Sequence, residues 1–140
     1  MATTPKKKSW AEKMEHPSQP VVKILEKGFA DLPPGCKMLI PTPWLIASYL
    51  QHSTPGHLIN IKQMRADLSA EMGAEYTCPL TTGIFLRILA EFTHEQKQNG
   101  IPLKDLAPIW RVIRPEVPIW KKLSFDPRWL EDILKSEQAN

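Results

Sequence analysis

The chain has 140 residues, 14 prolines, two cysteines and a formal net charge of +3, with a sequence pI near 8.9. That length fits one domain that buries a core without covalent staples. Two cysteines are too few for a secreted disulfide scaffold, so both are expected as free thiols in a reducing, cytoplasmic setting. No apolar run reaches the length of a membrane span, and four scattered histidines give no metal-ligand spacing, so neither membrane, metal nor cofactor is expected. The mild positive charge suits contact with a polyanion without requiring it.

In chain order, the first element expected is a flexible basic tail over residues 1–19, led by Lys6, Lys7 and Lys8. A tail of that composition cannot bury enough apolar surface to order itself. A single domain over residues 20–140 follows. Pro20 and the apolar series Val21, Val22, Ile24, Leu25 and Phe29 predict a helix. Pro33, Pro34 and Gly35 predict a turn, and Met38 to Ile40 a short strand. Thr42 followed by Pro43 is a helix-start signature, a capping hydroxyl before proline at the first helical position. That helix runs to about Gln51 and buries Leu45, Ile46, Tyr49 and Leu50. Pro55 and Gly56 turn the chain. Asn60 caps and Gly73 closes the next helix, with Met64, Leu68 and Met72 on one face.

Pro79 bars a helix across it. Thr81 or Thr82 is expected to cap a third, well-buried helix that ends near Gly100, carrying Ile84, Phe85, Ile88, Leu89 and Phe92. Pro108 breaks the chain again, and Ile109 to Ile113 reads as a short buried strand. Asp126 and Pro127 start a last helix with Leu130, Ile133 and Leu134 inward. The sum is an α+β fold, mostly helical, with two or three short strands.

The helices at 60–72 and 82–99 form a candidate helix-turn-helix over about residues 60–99, although their connection is longer than usual. This stretch is not basic: Lys62, Arg65, Arg87 and Lys97 face Asp67, Glu71, Glu75, Glu91 and Glu95. The positive excess lies instead in the tail and in Lys104, Arg111, Arg114, Lys121 and Lys122. Asp67, Glu71 and Glu75 share a helix face and read as solvated. Cys78, close before a helix start, is a conceivable activated thiol, but buried structural cysteine is the commoner case.

The series Thr54-Pro55-Gly56-His57-Leu58-Ile59-Asn60, an amphipathic helix, a glycine-containing apolar helix and Pro108-Ile109-Trp110-Arg111-Val112-Ile113 resembles the C-terminal DNA-binding domain of O6-alkylguanine-DNA alkyltransferases. Leu39-Ile40-Pro41-Thr42-Pro43 and Thr77-Cys78-Pro79-Leu80-Thr81-Thr82-Gly83-Ile84-Phe85 are similar to short bacterial relatives of that family. The likeness covers roughly residues 38–113. It implies a winged-helix-like domain with a helix-turn-helix and duplex DNA as partner. It also implies DNA contacts from Thr81, Thr82 and Arg87 on one helix, Lys62 and Arg65 on the bracing helix, and Arg114 after the strand. Trp110, Ile109 and Arg111 would line a pocket or touch a base, with Trp110 otherwise a core aromatic beside Trp120.

The departures from that family define the functional expectation. Ile109 stands at the methyl-accepting cysteine and Trp110 at the histidine, so no nucleophile is present for transfer. The finger arginine and the glycine-rich segment after the motif have no counterpart, and Ile61 is nearest to the missing tyrosine. The expectation is a noncatalytic, alkyltransferase-like DNA-binding protein that recognises damaged or alkylated DNA without repairing it. The alternative is a protein-interaction module that keeps the fold without binding DNA, and the third reading is thiol-dependent alkyl transfer through Cys78.

Overall fold

A computed structural model of the protein describes residues 8–139. Ser9 opens the first helix, α1 (Trp10–Met14), through a reciprocal cap. Its hydroxyl accepts the Glu12 amide at 3.1 Å and its own amide reaches the Glu12 carboxylate at 3.3 Å. This pairing satisfies two otherwise orphaned amides. Met14 is fully buried and α1 lies along a later helix, so the folded unit begins near Ser9 and not at residue 20. The expected tail thus ends earlier than residue 19, and its residues 1–7 lie outside the described residues.

Residues 21–29 do not form the expected helix. β1 (Val21–Ile24) pairs antiparallel with β2 (Lys37–Ile40), Val21 opposite Ile40 and Ile24 opposite Lys37. Three of the four β1 residues are β-branched, which favours the pleated state. All four are exposed, so their apolar series is not a core-facing helical stripe. β2 also pairs in parallel with the two-residue β3 (Tyr76–Thr77), giving a sheet of order β1-β2-β3. β3 was not anticipated, because two residues carry no periodicity.

The capped helices follow the sequence closely. α2 (Pro43–Gln51) starts at Thr42, whose hydroxyl accepts the Leu45 amide at 3.0 Å. α3 (Ile61–Glu71) starts at Asn60, whose carboxamide oxygen accepts the Lys62 amide at 2.8 Å. Gly73 ends it at φ +71°, a left-handed conformation that glycine adopts without strain. α4 (Pro79–Gln98) begins earlier than expected: Cys78 is its cap and Pro79 its first residue. Thr81 and Thr82 therefore sit inside the first turns. The bar that proline sets on a helix crossing it is met by placing it at the start, where its missing N–H matters least.

Ile109 to Ile113 is the second element that differs. Ile109–Arg111 is a 3-10 turn, and the Val112 and Ile113 amides both donate to the Ile109 carbonyl, at 3.2 and 2.9 Å. These amides are thus met within the turn, and a backbone bond from the Ile59 amide to the Arg111 carbonyl, 2.8 Å, ties it to the segment before α3. A second 3-10 turn, Pro118–Lys122, leads to α5 (Arg128–Ala139), which buries Leu130 and Leu134 and leaves Ile133 half-buried.

One core cluster joins these parts: Ile46 and Leu50 from α2, Met64 and Leu68 from α3, Leu86 and Leu89 from α4, with Ile109, Ile113 and Leu130. Within it α4 packs most closely on α1 and α2, and α3 on β3. A second, small cluster under the sheet holds Leu32, Cys36, Met38 and Cys78.

Candidate binding surface

The motif residues are interior. Ile109 is fully buried and Trp110 is 4% exposed. Trp110 packs tilted against Trp129 of α5, ring centres 6.4 Å apart, and not against Trp120 as expected. Arg111 is buried, and all three guanidinium nitrogens donate hydrogen bonds within the fold. Its Nε and Nη2 donate to the two Glu137 carboxylate oxygens at 3.1 and 2.7 Å, and its Nη1 donates to the Ser53 carbonyl and hydroxyl at 2.8 Å. Glu137 also accepts the Gly56 amide at 2.9 Å. Burial acts to raise the Glu137 carboxyl, but the bonds from Arg111 and Gly56 outweigh it and hold the group below its ordinary range. A cleft of about 490 Å³ beside this seam is lined by Trp110, Arg111, Glu137 and Lys104.

The six expected DNA-contacting residues do not form one free surface. Thr82 is fully buried and its hydroxyl donates to the Cys78 carbonyl at 2.6 Å. Arg65 donates through Nε and Nη2 to the Thr77 carbonyl at 3.1 and 3.0 Å, and the Thr77 hydroxyl returns a 2.7 Å bond to the Arg65 carbonyl. That exchange ties α3 to β3. Arg114 donates to the carbonyls of Ile59 and Arg111 at 3.1 and 2.7 Å and to Glu116 at 2.8 Å. Lys62 is exposed, and Thr81 is half-buried with an unpartnered hydroxyl. Arg87 is 42% exposed, its Nε 3.7 Å from Glu91 and its guanidinium 5.8 Å from the Trp10 ring.

Arg87 belongs to a different arrangement. A groove of about 570 Å³ runs between α1, the first half of α4 and the turn Pro118–Lys122. Its floor includes Leu80, Gly83, Ile84 and Ile88, and its charged lining residues are Lys13, Arg87 and Lys122. Leu80 is 59% and Ile84 48% exposed, one helical turn apart. Lys13 also sits 4.2 Å over the Trp10 ring, which fixes that wall of the groove. Sequence reading missed the groove because it assigned Trp10 and Lys13 to a tail. The signal that finds them is Ser9 followed three residues later by Glu12, a capping box.

Other chemistry-bearing residues are placed as follows. Cys78 is buried, and its sulfur accepts the Thr81 amide at 3.5 Å. Asp67 is not merely solvated, since it accepts the Tyr49 hydroxyl at 2.6 Å and the Gln63 carboxamide at 2.8 Å. Burial, joined by the neighbouring Asp67 carboxylate, raises the Tyr49 hydroxyl well above its ordinary value. Glu75 accepts the Lys37 amide at 2.9 Å. Among the described residues no cluster of three His, Cys, Asp or Glu is placed to hold a metal ion, and no helix is long and apolar enough to cross a membrane. Compared with family models, curated proteins and solved structures, the chain matches none.

Proposed function

We propose that this chain is a noncatalytic interaction module that binds a protein partner through the groove over the first half of α4. The observation that carries the reading is the exposed pair Leu80 and Ile84 on α4, 59% and 48% accessible, with cations and no acids among the described residues lining the groove. Contiguous apolar surface rimmed by polar groups marks interaction sites. At the position that matches the family's acceptor cysteine stands Ile109, an aliphatic side chain with no access to solvent, which supports the absence of transfer chemistry. The test is a comparison of the wild type with the double variant Leu80→Asp, Ile84→Asp in binding to peptides selected from a display library. Loss of binding by a folded variant supports the reading, and undiminished binding sinks it.

A second reading, alkyltransferase-like binding of duplex DNA, is supported by the grouping of Lys13, Arg87 and Lys122 about α4. Lys62 is also exposed, whereas Arg65 and Arg114 are committed to carbonyls within the fold. So few free cations predict a slope of log affinity against log salt of only about −2 to −4. Replacing Arg87 and Lys62 by Ala then flattens that slope, while Arg65→Ala changes stability more than affinity. Absence of any salt-dependent shift with guanine or O6-methylguanine duplexes removes this reading. Alkyl transfer through Cys78 is the least supported, since the thiol is buried; mass spectrometry after incubation with O6-methylguanine DNA should show no methyl adduct on Cys78 or Cys36.

A further inference from the structure

We infer that the partner of the α4 groove is an acidic amphipathic helix of another protein, an inference that rests on the interaction-module reading above. Three features of the groove point to that chemistry. First, Leu80, Ile84 and Ile88 stand at i, i+4 and i+8, forming a ridge of the kind that packs into the grooves of a second helix. Second, the charged residues lining it are Lys13, Arg87 and Lys122, each from a different element, with no acidic side chain among the described lining residues. Such a rim complements a partner carrying carboxylates beside its apolar stripe and repels a basic one.

The third feature is Gly83. It lies inside α4, where glycine weakens a helix relative to alanine. Among the described residues, a Cβ built on Gly83 meets no atom outside its own helix within 4 Å, so their packing does not demand the glycine. Its backbone is helical and needs no left-handed conformation. Gly83 borders the groove next to Leu80 and Ile84. A side chain missing there, at a loss to helix stability, leaves room for the backbone of an incoming helix to approach closely.

The experiment selects peptides from a random display library on the full chain and measures binding of the selected peptides by fluorescence anisotropy. The expected peptides are acidic and place apolar residues at helical spacing. Their affinity should fall about tenfold or more with Lys13→Glu combined with Lys122→Glu, and should be lost with Leu80→Asp. Gly83→Ala should raise the thermal midpoint by about 2–6 °C while weakening peptide binding. A merely structural role for Gly83 would not couple those two changes in opposite directions. Circular dichroism checks each fold, and the charge-reversal pair decides the matter if Leu80→Asp does not fold. Selected peptides that are neutral or basic, yet still lost with Leu80→Asp, overturn the acidic-helix inference and leave the interaction reading standing. No peptide dependent on the groove, with or without a salt-dependent shift of duplex DNA, overturns both.

Discussion

Arg111 and Arg87 occupy two regions that treat the same side-chain chemistry in opposite ways. Around Arg111 the structure provides two carboxylate oxygens, a carbonyl and a hydroxyl, and very little water. Around Arg87 it provides one distant carboxylate, an aromatic face and open solvent above exposed aliphatic side chains. The first arrangement joins α5 to the turn Ile109–Arg111 and to the segment between α2 and α3. The second leaves charge and apolar surface available to another molecule. Counting cations along the sequence treats these residues as equal, but an arginine whose donors are already engaged inside the fold contributes little to a binding surface.

The contrast can be broken most severely at Glu137. Glu137→Ala leaves the Arg111 guanidinium buried and removes two of its four hydrogen bonds. Removing one partner of a buried ion pair destabilises by about 3–5 kcal/mol, because the remaining charge is uncompensated. Urea denaturation should show this as a lowered midpoint. A loss below about 1 kcal/mol, the range of exposed pairs, would mean that the seam is open to water.

Glu91 is the next largest. It is 2% exposed, and its carboxylate accepts both the amide and the hydroxyl of Ser124, holding the loop before α5 against α4. Glu91→Ala should destabilise by about 1.5–3 kcal/mol, the range for hydrogen bonds to a charged group. Arg87→Ala should change stability far less, since its Nε lies 3.7 Å from that carboxylate and the side chain is 42% exposed. Measuring both variants separates the role of Glu91 as an internal tie from any role as partner to Arg87.

The fold was legible wherever a chemical device marks an element. Thr42 with Pro43, Asn60 with Gly73, and Asp126 with Pro127 place helix ends because capping groups and φ preferences act within a few residues. The failures share a different physics. Val21 to Phe29 has near-helical apolar spacing, yet its state is decided by pairing with Lys37–Ile40, a partner the local pattern cannot name. Ile109 to Ile113 is apolar and buried, and a short apolar run does not distinguish a strand from a turn that bonds to its own carbonyls. The candidate site was half visible. Arg87 and Lys122 stood out as cations, whereas Lys13 and Trp10 enter only because α1 folds back onto α4.

A pH series sharpens the comparison at the α4–α5 seam. His94 stacks face to face on Phe125, ring centres 4.1 Å apart, with its Nδ1 buried and unpartnered. Burial first, then the charge of Lys97, lower its pKa below the ordinary 6.5, against weaker opposing effects from Glu91 and Glu95. The folded state therefore binds this proton less readily than the unfolded state. Stability is fully present above pH 6.5 and falls as the pH drops from there toward the lowered folded value. Glu137 adds a second, separate limb: its folded pKa lies below 4.5, so its contribution is present above 4.5 and is lost as pH falls through the folded value. His94→Gln should flatten the upper limb of the urea midpoint against pH and leave the lower limb. A variant that shifts both limbs alike would contradict the assignment of the upper one to His94.

The smallest expected effect is the most diagnostic of the groove. Leu80 is the second residue of α4 and is 59% exposed, so folding buries little of it. Replacing an exposed side chain usually changes stability by less than about 0.5 kcal/mol. Aspartate in the first turn also gains from the positive end of the helix dipole, by about 0.3–1 kcal/mol. Leu80→Asp should therefore be neutral or slightly stabilising in urea, while the same change abolishes binding of a groove-dependent peptide. Leucine then occupies a position where folding alone favours a carboxylate, as Gly83 occupies one where folding alone favours alanine. Should Leu80→Asp instead destabilise by more than about 2 kcal/mol, Leu80 is packing within the fold, and the exposed ridge on which the binding surface rests does not exist in solution.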